Sequence, residues 1–196
     1  MKKNVVIIAG GKGLRLRGSI GESPKILAPI NTSTILDYQL NELSKQKLYD
    51  VHLSLGYGHE EIIKYLNKRK YNKFNFSYTV EDSPLGTYGG LYRSKPYLNE
   101  KFFVLFGDII FNFDIASGFK KFDSDVLLIT RYTDHPLDSD IVIQENNKFK
   151  NFSRHKDLPY PYSPIGNTGL LYMKKSKLTK PNKSHSDIFK DFILQN

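Results

Sequence analysis

The chain has no cysteine. Disulfides and thiolate metal sites are therefore excluded, a usage that fits a cytoplasmic protein. It has no apolar run near the ~20 residues that a membrane-spanning helix requires. The start, Met1-Lys2-Lys3-Asn4, leads straight into a strand-like run and lacks the apolar region and small-residue cleavage site of a signal peptide. His52, His59, His135, His155 and His185 show no metal-ligand spacing and read as surface or packing residues. No serine sits in a nucleophile elbow, and no Gly-Lys-Ser/Thr ending marks a P-loop. There is no internal repeat, low-complexity linker or domain boundary, so residues 1–196 read as one domain.

What is present suffices for a core. A chain of 196 residues buries about 70% of its unfolded surface, and 13 Tyr with 13 Phe can fill the interior. The net charge of +9 raises the possibility of a nucleic-acid partner. Its cations are dispersed, however, with Lys68-Arg69-Lys70 as a lone run. A solvated surface, with some attraction for polyanionic small substrates, accounts for them, and no nucleic-acid or membrane partner is expected.

Val5 to Ala9 form a β-branched apolar run, the pattern of a buried parallel strand. Residues 24–30 read as extended because of their prolines. Thr32-Ser33-Thr34 offer N-cap hydroxyls to a helix that carries Ile35, Leu36, Leu40 and Leu43 inward. Val51, Leu53 and Leu55 mark a second strand, residues 59–67 a helix, and Phe74, Phe76 and Tyr78 a third strand. This strand–helix alternation predicts right-handed crossovers and a mostly parallel sheet. Residues 81–90 read as a loop, 91–98 as a short helix, 102–106 as a buried strand and 126–130 as another central strand. Residues 141–143 and 149–152 read as an antiparallel hairpin, 157–166 as a loop, 169–173 as a strand and 187–194 as a last helix.

Three places can carry chemistry. Gly10-Gly11-Lys12-Gly13 ends the first strand, where glycines let backbone N–H groups approach anionic oxygens, and Lys12, Arg15 and Lys25 add charge. An ordinary strand-to-helix turn has the same spacing. Gly107-Asp108 follows the fourth strand, at the sheet edge where open α/β folds place ligands. A carboxylate there suits Mg²⁺, which takes one or two carboxylates plus phosphate oxygens; a turn or cap aspartate is the alternative. Glu81 lies five residues before Gly86. If Gly86 lies against a nucleobase, Glu81 can accept from guanine N1–H and N2–H₂; otherwise it is a surface glutamate. An amide at Asn167, in Asn167-Thr168-Gly169, can bind sugar hydroxyls.

Taken in order, the residues 10–16 loop, Pro24-Lys25, Pro84-Leu85-Gly86-Thr87, Gly107-Asp108 and Asn167-Thr168-Gly169 resemble the sugar-1-phosphate nucleotidyltransferases over nearly the whole chain. Glu81 and His135-Pro136-Leu137-Asp138-Ser139-Asp140 are most similar to the heptose-1-phosphate guanylyltransferase-like branch. The resemblance implies a Rossmann-like three-layer α/β sandwich, with a mostly parallel central sheet and a small antiparallel hairpin over the sugar site. It implies a reaction of NTP (GTP favoured) with a sugar 1-phosphate to NDP-sugar and pyrophosphate, serving surface polysaccharide synthesis.

It also implies residue roles. Ala9, Gly10, Gly11, Lys12 and Gly13 would cradle the triphosphate, Arg15 would stabilise the leaving pyrophosphate, and Lys25 would bridge the α-phosphate and the sugar phosphate. Asp108 would hold Mg²⁺. Glu81, Pro84, Gly86 and Thr87 would surround the base, with Asn167 and Gly107 on the sugar. The alternatives are a catalytically weak binding homologue, or a transferase using CTP, UTP or dTTP. Leu14 stands where relatives have threonine, and Arg154-His155 where many have Glu-Lys. A second metal aspartate is expected beyond the 187–194 helix, with Asp187 and Asp191 as substitutes within these residues.

Overall fold

A computed structural model describes residues 3–11, 23–69, 71–136, 139–153 and 165–195. In chain order its elements begin with β1 (Lys3–Ala9), a single 3₁₀ turn (Lys25–Leu27) and the two short strands β2 (Pro29–Ile30) and β3 (Ser33–Thr34). Next come α1 (Ile35–Lys45), β4 (Asp50–Leu55), α2 (His59–Arg69), β5 (Asn75–Val80), α3 (Gly86–Ser94) and β6 (Leu98–Phe106). Then follow α4 (Ile115–Lys121), β7 (Val126–Tyr132), β8 (Ile141–Glu145), β9 (Lys148–Ser153) and β10 (Ile165–Lys174), with further 3₁₀ turns at Lys95–Tyr97 and Lys175–Lys177, and at the end a π turn (Ile188–Phe192) and a 3₁₀ turn (Ile193–Gln195).

Strand β1 lies in the middle of the sheet, parallel to β4 on one side and to β6 on the other. The order is β5-β4-β1-β6-β10-β8-β9, with β7 also paired to β10. The four strands β5-β4-β1-β6 run parallel, and those beyond β6 run antiparallel. Alternation along β1 divides the core into two layers. Val5 and Ile7 pack with Leu36 and Leu40 of α1, Ile62 and Leu66 of α2, and Ile115 of α4. Val6 and Ile8 pack on the opposite face with Tyr88 and Leu91 of α3 and with Ile188 and Phe192. Helices on both faces of one sheet make the expected three-layer α/β sandwich.

Helix α1 starts where its sequence says it should. The Thr34 hydroxyl accepts from Asp37 N–H (3.2 Å), and the Asp37 carboxylate accepts from Thr34 N–H (2.9 Å), a reciprocal capping box. The β8–β9 hairpin also forms, turning through Asn146 and Asn147 at φ 52° and 58°.

Four expectations are corrected. Residues 24–30 are not wholly extended, because Pro24 sits outside the 25–27 turn and its fixed φ of −57° is compatible with capping it. Helix α3 begins at Gly86 rather than Leu91, since the helix-breaking Pro84 lies before it. Among the described residues β7 pairs with β10 alone and exposes Arg131 and Tyr132, so it is not a central strand. The last helix is a π turn followed by a 3₁₀ turn, capped by Asp187. The loop expected at 157–166 lies outside the described residues up to 164. No described helix is long and apolar enough to cross a membrane.

Candidate functional site

From β1 the chain steps to β4 and β5 on one side and later returns to β6 on the other. Such a reversal opens a crevice at the carboxyl ends of the strands. A cleft of about 880 Å³ lies there, within the ~300–1,000 Å³ typical of small-molecule sites. Its floor comes from four strand ends: Ala9, Gly10 and Gly11 after β1; residues 56–59 after β4; residues 81–84 after β5; and Gly107 and Asp108 after β6. Lys25, Ile26, Thr87 and His185 complete the walls.

The floor is held by backbone. Tyr57 N–H donates to Gly10 O (3.2 Å), and Gly107 N–H donates to Ile8 O (2.9 Å). The first contact requires a glycine at 56, because a Cβ there would lie 2.7 Å from Gly10 O. Lys25 and Asp108 meet across the cleft as an ion pair of 2.6 Å, with side chains 35% and 39% exposed.

Glu81 points inward. Its Oε2 accepts from Leu85 N–H (3.0 Å), and Oε1 lies beside the Cα of Gly10. Burial raises its carboxyl above the usual glutamate range, opposed by the Leu85 N–H and the charges of Arg93 and His185. Pro84 and Thr87 also line the cleft. The Thr87 hydroxyl donates to Asp187 (3.1 Å) and accepts from Ile188 N–H (2.8 Å). Gly86 is not among the lining residues, because its Cα face is covered by Ser186; at φ +77°, an added Cβ would lie 2.4 Å from Ser186 O.

Asn167 is likewise outside the lining. Its Oδ1 accepts from Gly169 N–H (3.1 Å) within an irregularity of β10. That irregularity packs on the turn carrying Asp108, since a Cβ at Gly169 would lie 2.9 Å from Ile109 Cδ1. Lys12, Gly13, Leu14, Arg15, Arg154 and His155 lie outside the described residues. Asp187 and Asp191, the substitutes considered for a second metal carboxylate, are engaged in local hydrogen bonds. Asp187 caps Phe189 and Lys190, and Asp191 is held by Lys183 and by Asp187 N–H.

Sequence reasoning passed over several cleft or cleft-supporting residues, among them residues 56–59, His185 and Gln39. His185 arrives from about 100 positions downstream, docked with its Nδ1 3.2 Å from Pro84 O. No local pattern announces it. Gln39 did leave a signal: it is a polar residue, 1% exposed, within the apolar stripe of α1.

This geometry is that of a nucleotide-handling α/β transferase, and residues 4–135 match the sequence model of the Nucleotidyl transferase family, to which the chain belongs. It is 36% identical over 117 residues to a D-glycero-alpha-D-manno-heptose 1-phosphate guanylyltransferase of Aneurinibacillus thermoaerophilus, covering 59% of this chain and 50% of that protein. A Campylobacter jejuni enzyme of the same name is 28% identical over 97% of this chain and 79% of its own length. The fold is shared with HddC from Yersinia pseudotuberculosis, solved in complex with GMP-PN. The TM-score is 0.83 at 24% identity, covering 100% of this chain and 87% of that one.

Proposed function

We propose that the chain joins GTP and a heptose 1-phosphate, giving GDP-heptose and pyrophosphate, in a cytoplasmic setting that supplies surface polysaccharide synthesis. The observation that supports this reading is the Lys25–Asp108 pair, 2.6 Å across a cleft floored by the Gly10-Gly11 backbone. An oxygen of the sugar phosphate attacks the α-phosphorus of the nucleotide, and the bond from that phosphorus to the β-phosphate bridging oxygen breaks. Pyrophosphate leaves with the electron pair. Catalysis of this kind is positioning and charge neutralisation.

Lys25 supplies a mobile cation for the attacked phosphate and the incoming one. Lys12, Gly13 and Arg15 extend the triphosphate cradle, with Arg15 at the leaving group. Glu81, Pro84 and Thr87 border the base, while Gly86 acts by seating that border on Ser186. Gly107 and Asn167 serve the sugar side, beneath the β8–β9 hairpin.

No group of three or more His, Cys, Asp or Glu among the described residues can hold a metal ion unaided. A single exposed carboxylate fits Mg²⁺ only if phosphate oxygens complete its shell, which is how this ion usually binds. Asp108 is the residue that would hold it. When bound it would neutralise charge on the nucleotide phosphates.

The test is pyrophosphate release with Mg²⁺, each NTP and a panel of sugar 1-phosphates. GTP with a heptose 1-phosphate is expected to be the best pair. Release with no pair would overturn the reading. Because Asp187 and Asp191 are engaged as caps, retained GTP binding in that case would favour a binding homologue of low activity.

A further inference from the structure

We infer that Gln39, on α1 and outside the cleft, is a positioning residue for the Lys25–Asp108 pair, an assignment whose kinetic arm rests on the transferase reading above. Its Nε2 donates to Phe106 O and to Ile109 O, both at 2.8 Å. Carbonyl oxygens only accept, so these two partners fix the orientation of the amide. The two acceptors flank Gly107-Asp108. Phe106 O also accepts from Ile109 N–H (3.2 Å), and Gly107 N–H is held by Ile8 O. Both ends of the turn that presents Asp108 are thereby clamped from beneath.

Packing alone does not explain a glutamine here. Position 39 lies between Leu36, Leu40 and Leu43, all buried in the core. A leucine would fill this stripe without a polar atom. Gln39 instead directs both amide hydrogens to the turn, leaving Oε1 as a buried acceptor without a partner among the described residues. An unpaired polar atom in the core is costly, so the two donated bonds are the reason to look for a role in the site.

The same helix holds the other member of the pair. Ile35 N–H, in the first turn of α1, donates to Ala28 O (3.2 Å), and Ala28 N–H donates to Lys25 O (3.0 Å). The capping box at Thr34 and Asp37 fixes where this end of α1 begins. Lys25 and Asp108 are 83 positions apart, and α1 is the element bonded to the supports of both. A displacement of about 1 Å in such a constellation can cost on the order of 100-fold in rate.

The experiment compares Gln39→Met with Gln46→Met. Gln46 caps the far end of α1 and makes an analogous staple, to Phe113 O and Ala116 N–H, away from the cleft. For Gln39→Met the expected result is a fall in kcat of about 10- to 100-fold, with metal-free GTP affinity held within about twofold. Mn²⁺ affinity for the protein–GTP complex, read by electron paramagnetic resonance, should weaken as well. Gln46→Met should lower the melting temperature comparably and leave kcat and Mn²⁺ affinity unchanged. Equal losses in the two variants, or an unchanged kcat in Gln39→Met, would overturn the assignment.

Hydrogen exchange in the wild-type chain serves if Gln39→Met does not fold. The Gly107 and Ile109 amides should then exchange as slowly as Ile7 in β1, and exchange orders of magnitude faster would overturn the clamp. If the wild type releases no pyrophosphate, the transferase reading fails by itself. The Mn²⁺ titration and the exchange data then decide the role of Gln39.

Discussion

The Nζ of Lys25 lies 2.6 Å from Oδ2 of Asp108, joining the 25–27 turn to the end of a strand 83 positions later. Both side chains are more than a third exposed, so the pair adds only about 0–1 kcal/mol to stability. Its consequence lies in charge placement.

Replacing Lys25 with Ala should therefore separate binding from turnover. Pyrophosphate release is expected to fall by about 10²–10³-fold, because the cation acts on charge that develops during transfer. Calorimetric GTP affinity should change by no more than about threefold. Equal losses in both would contradict the role given to Lys25.

Glu81→Gln should raise the melting temperature at pH 7. The folded-state carboxyl is raised by burial, so the fold favours its protonated form. The stability this contributes is full below the unfolded value of about 4.3 and is lost as pH rises through the higher folded value. The variant's advantage should therefore shrink as the pH is lowered below about 4.3, where the wild-type side chain becomes protonated in both states. The GTP:UTP preference should relax in the same variant; an unchanged ratio removes Glu81 as base reader.

Asp37 behaves in the opposite sense. Burial pushes its carboxyl up, but donations from Tyr71, Tyr65 and Thr34 N–H and the Arg69 charge outweigh it, leaving the group below the usual aspartate range. The depressed carboxyl stabilises the fold above the unfolded value of about 3.9, and this is lost as pH falls through the folded value. Asp37→Asn should cost about 1–3 kcal/mol in urea unfolding at pH 7, and the gap from wild type should close in acid. A pH-independent gap would show that the charge is not responsible.

Gly86→Ala should destabilise the chain by about 1–3 kcal/mol, the cost of holding an L residue at positive φ. Because the new Cβ would also meet Ser186 O, amides 183–195 should lose exchange protection before β1 does. Simultaneous loss would mean that this segment does not open separately.

Much of this was legible because it is local. The β-branched run 5–9 named its own strand, and Thr32-Ser33-Thr34 with the Ile35/Leu36/Leu40/Leu43 stripe named α1 and the region of its start, which the structure puts at Thr34. The positions of Gly10, Glu81 and Asp108 just past strand ends followed from the parallel alternation, which brought them into one cleft with Lys25 of the 25–27 turn. Non-local features were not legible. Gly86 reads in sequence as a ligand-facing glycine, but its open Cα face is taken by Ser186, 100 positions away. The Asn167 oxygen accepts from Gly169 N–H within a β10 irregularity that periodicity does not reveal. The stretch 126–130 is apolar enough to pass for a central strand, and its pairing shows otherwise.

The docking of residues 183–188 onto 84–88 also sets an order of assembly. Ser186 bonds Leu85 and Tyr88, Ile188 bonds Thr87, and His185 bonds Pro84, contacts that span about 100 positions. During synthesis the parallel half, β1 through β6, emerges long before this segment. The growing chain can therefore form the sheet while one wall of its cleft is still missing. The cleft gains its His185 wall, and residues 84–88 their Ser186 and Ile188 partners, only once this last segment has been made.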